Sequence, residues 1–459
     1  MEVNRKRRIR FTTMQILVIG FFAVIMIGGF LLWLPISNQK PIAFVDALFT
    51  SVTAVCVTGL VTIVPATQFT IFGKVILMLL IQVGGLGIIA CATAFLLILR
   101  RRISVRERMM IQEAYSMDSL SGMVAMIIWV IKGTFLVEGI GALFYMIQFI
   151  PEFGVVTGFC YGIFHSISAF CNAGIDIIGD SSFQQYAGNP LISIVTMFLI
   201  MLGGLGFPVW QDVVYGLKKF FRRQETPRAI LRKMHLHSKV VLLMTFIMIV
   251  GGALGVLLLD YSNPETLGGR PFGEKVLASF FQSVTTRTAG FATISQNGIS
   301  EAGKFWSCLL MFVGGSPGGT AGGVKTTTIA LLFLNCLAVI RGGQDGECFG
   351  RRVRIENIRL ASVLATVFLG ILVLGTLLVS VLEPEVSFSR VLYETTSAIC
   401  TVGLSADLTP SLGTPAKIVL MLMMYIGRVG PLTMAFAFAA KKNPKDNIRQ
   451  LPSRGILIG

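Results

Sequence analysis

Four short stretches of this sequence run through small and hydroxylated residues to a glycine. The first reads Phe49-Thr50-Ser51-Val52-Thr53-Ala54-Val55-Cys56-Val57-Thr58-Gly59. The second reads Phe164-His165-Ser166-Ile167-Ser168-Ala169-Phe170-Cys171-Asn172-Ala173-Gly174, and the last Tyr393-Glu394-Thr395-Thr396-Ser397-Ala398-Ile399-Cys400-Thr401-Val402-Gly403. All three fit aromatic-x-Ser/Thr-x-Ser/Thr-Ala-x-Cys-x-x-Gly. The third in chain order, Phe281-Gln282-Ser283-Val284-Thr285-Thr286-Arg287-Thr288-Ala289-Gly290, is one residue shorter and has Arg287 where the others have cysteine. Glycine lets a backbone approach closely and adopt conformations closed to other residues. Carbonyl oxygens carried by such a segment can replace a cation's hydration shell. The candidate ion path is therefore Val57, Thr58 and Gly59; Asn172, Ala173 and Gly174; Thr288, Ala289 and Gly290; and Thr401, Val402 and Gly403. The earlier Ser and Thr residues are assigned to hydrogen bonds that satisfy backbone and neighbouring loops. The three cysteines pack as small hydrophobes.

These stretches need a frame, and composition says which. The chain has 459 residues, 54% hydrophobic and only 14% charged. A soluble domain carries about a quarter charged residues. Uncharged runs at Thr12–Leu34, Val75–Leu99, Val240–Leu259 and Leu360–Leu382 are long enough to span a bilayer, which takes roughly 20 apolar residues. The first is too long for a signal-peptide core and is read as a transmembrane helix. Net charge is +16. Of 39 Lys and Arg, 28 fall in Met1–Arg10, Arg100–Arg108, Lys218–Lys239, Arg341–Arg359 and Lys441–Arg454. Short basic loops face the cytoplasm. The charge thus reports topology, with a minor share for anionic lipid, and not nucleic acid.

The basic loops divide the chain into four blocks, each beginning and ending inside, and each holding one glycine-terminated stretch too short to span. Gly59 to Gly174 is 115 residues, Gly174 to Gly290 is 116 and Gly290 to Gly403 is 113. A second landmark follows: Gly84-Gly85-Leu86-Gly87, Gly203-Gly204-Leu205-Gly206, Gly314-Gly315-Ser316-Pro317-Gly318 and Gly427-Arg428-Val429-Gly430. Its offsets from the first glycine are 25, 29, 24 and 24. The expected fold is an all-α membrane protein of eight transmembrane helices with four re-entrant pore loops. Four tandem helix–pore loop–helix repeats surround one pore: 11–102, 119–223, 235–341 and 357–440, with cytoplasmic tails 1–10 and 441–459. Irregular backbone at membrane depth survives only where it is buried or lines water. Four loops meeting on one axis meet that condition. The pore helices then turn their C-terminal dipoles, which favour a cation, toward it.

The x-x-Gly ends, the GGSPGGTAGGVKTTT stretch at Gly314–Thr328 and the GRVGP stretch at Gly427–Pro431 resemble the Trk/Ktr/HKT superfamily of potassium transporters. The likeness covers essentially the whole chain and is strongest to the Ktr-type (NtpJ-like) membrane subunit. The resemblance implies K+ uptake at the cell membrane, sometimes sodium-dependent, with K+ held at the four filters. It implies a homodimer with one pore per protomer and a cytosolic ring of nucleotide-binding RCK-type subunits. No cofactor is expected in this chain.

Gly314, Gly315, Ser316, Pro317, Gly318, Gly319 and Thr320 open a ten-residue run, 314–323, with six glycines and a proline. Each interior Gly costs a helix about 1 kcal/mol and Pro about 3, so a loop at membrane depth is expected. In the resembled family this region is the intramembrane gate. Arg428 stands where the other copies have Gly85, Gly204 and Gly315. A charge at this depth faces a cavity or a partner; Arg428 either raises a barrier to cations or anchors the gate loop by its carbonyls. Arg287 is expected to point away from the axis and brace its pore helix. Lys132 and Glu138 are expected to pair with other helices, and Lys325 to reach the cytoplasmic surface.

Two other readings compete. A sodium-coupled or sodium-selective secondary transporter would use the same broken helix for alternating access. The direct repeat order, every copy starting inside, argues against inverted repeats. An enzyme is not expected: no Ser/His/Asp set, HExxH or phosphate loop is present, and no catalytic residue is assigned. The only histidines are His165, His235 and His237, and the HxH pair has no acidic or thiol ligand nearby in sequence. The eight cysteines form no disulfide framework.

Overall fold

A computed structural model of the chain describes residues 12–88, 90, 91, 93, 123–343 and 346–438. The tails 1–10 and 441–459, the basic loop Arg100–Arg108 and the expected repeat bounds at 11, 102, 119 and 440 lie outside the described residues.

One order of elements recurs four times: a long apolar helix, a short helix, a return segment and a second apolar helix. The long helices are α1 (Thr13–Trp33), α4 (Met123–Phe153), α9 (Leu236–Asp260) and α13 (Ile355–Leu382). Their short partners are α2 (Phe44–Val55), α5 (Val155–Phe170), α10 (Phe272–Thr285) and α14 (Phe388–Ile399). The second helices are α3 (Ile71–Leu86), α6 (Pro190–Gly204) continued by α7 (Phe207–Phe221), α11 (Glu301–Phe312) with α12 (Thr326–Ile340), and α15 (Thr414–Val429) with α16 (Pro431–Phe438). A short helix α8 (Pro227–Lys233) lies in the basic loop before α9.

Local sequence sets these boundaries. Thr12 and Gln15 close a capping box on α1. Asn189 accepts from the amides of Leu191 and Ile192 and is followed by Pro190 at the first helical position. Thr70 and Ser300 cap α3 and α11 in the same way. Among the described residues, α1, α4, α9 and α13 are long and apolar enough to cross a membrane, and the α6–α7 pair makes a fifth candidate. Ile19, Phe22, Ile27 and Phe30 of α1, and Val373, Leu374 and Leu377 of α13, are exposed. An apolar belt of that kind is suited to hydrocarbon, not to water. The short helices are instead buried through their C-terminal halves, for example Phe49 to Val55 and Val391 to Ile399 apart from Leu392.

The fold departs from the sequence reading in several places. The run Val75–Leu99 is not one straight helix: α3 ends at Leu86, and Gly87 leaves at φ 86°. A break was expected only in the third block. The second helix is interrupted in all four: Gly87, Gly206 and Gly430 take φ of 86°, 86° and 93°, and α6 meets α7 at 107°. A two-residue antiparallel ladder, Glu347–Cys348 with Arg351–Arg352, is added to the helical whole.

Candidate functional site

Each short helix ends in the same backbone sequence of events. Val57, Asn172, Thr288 and Thr401, each two residues before its glycine, take left-handed φ of 54°, 60°, 65° and 53°. Gly59, Gly174, Gly290 and Gly403 then take φ of 101°, 61°, 83° and 93°. Few L-residues adopt such angles without being held there. The hold is visible. The amides of Thr58, Ala173 and Val402 donate to the carbonyls of Thr53, Ser168 and Ser397, each at 2.8 Å, and that of Ala289 to Thr285 at 2.9 Å.

Turning the amides back into the helix leaves the opposite edge of the segment to the carbonyls. A Cβ built on Gly59 would lie 2.6 Å from the carbonyl oxygen of Ala173 and 3.1 Å from Cα of Gly403. One on Gly174 would meet the carbonyl of Ala289, with Cα of Gly290 at 2.6 Å. One on Gly290 would lie 2.8 Å from the carbonyl of Val402, and one on Gly403 would meet that of Thr58. Each glycine thus faces the carbonyl just before the next one, and the fourth closes on the first. None of these four carbonyls accepts a hydrogen bond among the described residues. The hydroxyls of Thr58, Thr288 and Thr401 and the amide nitrogen of Asn172 are likewise buried without a partner.

The Ser and Thr residues of the motif divide into two jobs. The later one braces the return segment: Gly59 and Gly403 amides donate to Thr53 Oγ1 and Ser397 Oγ at 2.9 Å. Ser168 Oγ donates to the Ile175 carbonyl at 2.7 Å, and Thr285 Oγ1 to that of Phe291 at 2.6 Å. The earlier one ties the short helix to the long one. Ser51 donates to Ile25, Ser166 to Glu138 and Ser283 to Ile249, all to carbonyls, while Thr395 pairs with the Thr376 hydroxyl at 2.8 Å.

Gly314–Gly323 is irregular backbone joining α11 to α12. It is pinned on both sides. Ser316 and Thr320 amides donate to Gly204 and Gly203 carbonyls at 2.9 and 3.1 Å, and Phe207 donates to Gly318 at 3.0 Å. Thr320 Oγ1 lies 3.2 Å from both the Phe170 carbonyl and Asn172 Oδ1. A Cβ on Gly322 would lie 3.2 Å from the Cys400 carbonyl oxygen and would meet Thr401 Oγ1. The loop therefore touches the second and fourth glycine-terminated segments directly. Arg428 donates to the carbonyls of Thr320, Gly84 and Gly85.

Lys325 departs from expectation. Its ammonium does not extend to the cytoplasmic surface but folds back onto the Ala321 carbonyl at 2.7 Å and the Gly322 carbonyl at 3.4 Å. A second cation thus sits on the loop beside Arg428, a placement that sequence position gave no way to find. Arg287 is buried and reaches Thr245 Oγ1 of α9 at 3.4 Å, lining a small cavity with Ile200, Met201 and Gly204 of α6. Glu138 accepts from Gln82 Nε2 at 3.1 and 3.3 Å, a pairing between α4 and α3, while Lys132 stays exposed. His235 meets an acidic partner after all, Asp212 of α7 at 2.7 Å, and the pair fastens the basic loop.

Three comparisons bear on this arrangement. The family model described as a cation transport protein, TrkH, matches residues 3–451. The chain is 38% identical over 441 residues to the Ktr system potassium uptake protein B of Bacillus subtilis, covering 96% of each. It is 37% identical to the potassium/sodium uptake protein NtpJ of Enterococcus hirae over the whole of both chains. Its fold is similar to the potassium transporter TrkH from Vibrio parahaemolyticus, with a TM-score of 0.70 at 17% identity over 95% of this chain and 86% of that one. The sequence match, the glycine-terminated stretches and the apolar helices agree: the chain is a multi-pass membrane protein of the TrkH/Ktr family of cation transport proteins.

Proposed function

We propose that this protein takes up K+ through a selective pore whose filter is the ring of Gly59, Gly174, Gly290 and Gly403. The observation that carries the reading is the closed cycle of four carbonyls, each set against the glycine of the preceding repeat and none engaged in a hydrogen bond among the described residues. Carbonyl dipoles held at that spacing by hydrogen bonds behind them substitute for the water around a dehydrated cation. The filter residues are Val57, Thr58, Asn172, Ala173, Thr288, Ala289, Thr401 and Val402 with the glycines. The relatives' names, potassium uptake proteins, support the choice of ion. Growth of a K+-uptake-deficient bacterium at low K+, restored by this chain, is the test. Failure to restore growth or to carry Rb+ into liposomes rejects the reading.

The finer architecture belongs to the same proposal. The chain crosses eight times, sends four re-entrant loops to one axis and keeps both termini in the cytoplasm. Loop Gly314–Gly323 gates the pore from below the filter, held by Arg428 and Lys325. The protein works as a homodimer, and its basic cytoplasmic loops dock a nucleotide-binding ring. Copurification with such a subunit supports the last point, and activity indifferent to it counts against it.

A second reading, sodium-coupled or sodium-selective transport, is favoured by one observation: the relative NtpJ is named for both ions. Currents too large for a carrier cycle, unaffected by Na+ removal, decide for the first.

A further inference from the structure

The motif position between the aromatic residue and the first Ser/Thr varies freely: Thr50, His165, Gln282 and Glu394. The fold gives these four side chains different work. Thr50 donates to the Asp46 carbonyl of its own helix at 2.8 Å and does not hold the segment beyond its filter. His165 Nε2 takes the Ile177 amide at 3.4 Å. Gln282 exchanges two bonds with Gln296, at 2.8 and 3.1 Å, and Tyr393 of α14 donates to the same Gln296 at 2.7 Å. Glu394 is buried and takes three donors: Ser405 Oγ at 2.5 Å, the Leu408 amide at 3.2 Å and Thr409 Oγ1 at 2.9 Å.

The fourth segment has a second holder. Arg390 lies one turn before Glu394, so the two share a face of α14. Its guanidinium donates to the Ala406 carbonyl from Nε at 3.1 Å and Nη2 at 2.9 Å. Ser405 and Ala406 follow Gly403 by two and three residues. The segment just beyond this filter is thus gripped by an anion and a cation on one helix face, at donors and acceptors of opposite sense. Charge-assisted bonds are roughly twice as strong as neutral ones.

We propose that the Arg390–Glu394 clamp is a positioning device for ion selection. It rests on the filter assignment above. At this position the four segments are tethered unequally, from none in the first to three bonds in the fourth, to which Arg390 adds two, so the ring has one rigid quadrant. Na+ is smaller than K+ and is coordinated only if carbonyls move inward. A quadrant fixed from behind resists that movement, and K+ is favoured. Arg390 and Glu394 touch no ion in this scheme; they act through Ser405 and Ala406.

The experiment measures Rb+ uptake into liposomes by the full chain, with Na+ as competitor, for Glu394→Gln, Arg390→Gln, Arg390→Lys and Thr409→Val. We expect Glu394→Gln and Arg390→Gln to let Na+ compete about tenfold better while maximal flux is retained, the scale of losing a charged hydrogen bond. Arg390→Lys keeps the charge and should recover part of the discrimination. Variants that lose thermal stability but keep the wild-type Na+/Rb+ ratio overturn the proposal. If Glu394→Gln does not fold, Arg390→Gln and Thr409→Val decide by the same ratio. A wild-type chain that carries no Rb+ would refute the filter assignment instead, so the two failures are distinguishable.

Discussion

Arg428 on α15 and Thr320 in the loop after α11 are joined across 108 positions of chain by a guanidinium-to-carbonyl hydrogen bond. The same guanidinium reaches back to Gly84 and Gly85 at the end of α3. One side chain therefore ties its own second helix to the end of another and to the loop of the third repeat. Arginine suits that place because its five donors stay charged and fan out in a plane.

If the loop is the gate, this bond holds it shut. Arg428→Ala should loosen the closed state and raise Rb+ flux into liposomes by about tenfold, since bonds from a charged donor contribute about 1.5–3 kcal/mol each. Deleting Ser316–Thr320 removes the carbonyl, the Thr320 hydroxyl contacts and the amide pins on Gly203 and Gly204 together. That variant should conduct more than Arg428→Ala and depend less on any regulatory subunit. Unchanged or lower flux in a folded deletion variant rules the loop out as a gate.

Lys325 carries a separate prediction. Its ammonium occupies the Ala321 and Gly322 carbonyls of the loop. Lys325→Met keeps the stem and removes the charge and both bonds. Flux should rise less than in the loop deletion. It should rise by more in combination with Arg428→Ala than the separate effects predict, because both residues hold one loop. Strictly additive effects would place them on independent elements.

Much of this was legible in the sequence because it depends on counting. The four glycines were found by motif and period, and the third block's loop by its glycine and proline content. Their convergence follows from the rule against irregular backbone in lipid. What escaped was conformational. The Gly87, Gly206 and Gly430 breaks lie in apolar runs, and hydropathy carries no information about the sign of φ. In sequence Lys325 only follows the glycine-rich run, and it is the folded loop that brings the Ala321 and Gly322 carbonyls to it. The variable motif position was passed over because its four residues share no chemistry until the return segments are seen.

The filter glycines should not tolerate a side chain. Gly59→Ser and Gly290→Ser place a Cβ 2.6 and 2.8 Å from a neighbouring carbonyl oxygen, at φ of 101° and 83°. Strain at such angles costs about 1–3 kcal/mol, and K+ half-saturation should rise roughly tenfold to a hundredfold. All four serine variants transporting K+ like the wild type would remove the basis for the filter assignment.

The last prediction concerns the wall behind the second filter. Both carboxylate oxygens of Glu138 on α4 accept from the single Gln82 Nε2 of α3, at 3.1 and 3.3 Å, and Cys171 Sγ lies 3.9 Å away. Cys171 directly precedes Asn172, so this pair lies behind the second proposed filter segment. Removing one partner strands the other: a buried group left unpaired costs about 1–3 kcal/mol, more if charged. Replacing both by apolar groups of like shape removes that penalty. Glu138→Leu and Gln82→Leu should each lower the melting temperature in detergent. The double variant should be more stable than the sum of the single losses allows, with a coupling of about 0.5–3 kcal/mol. Additive losses would mean that the two side chains, although in contact, do not depend on each other.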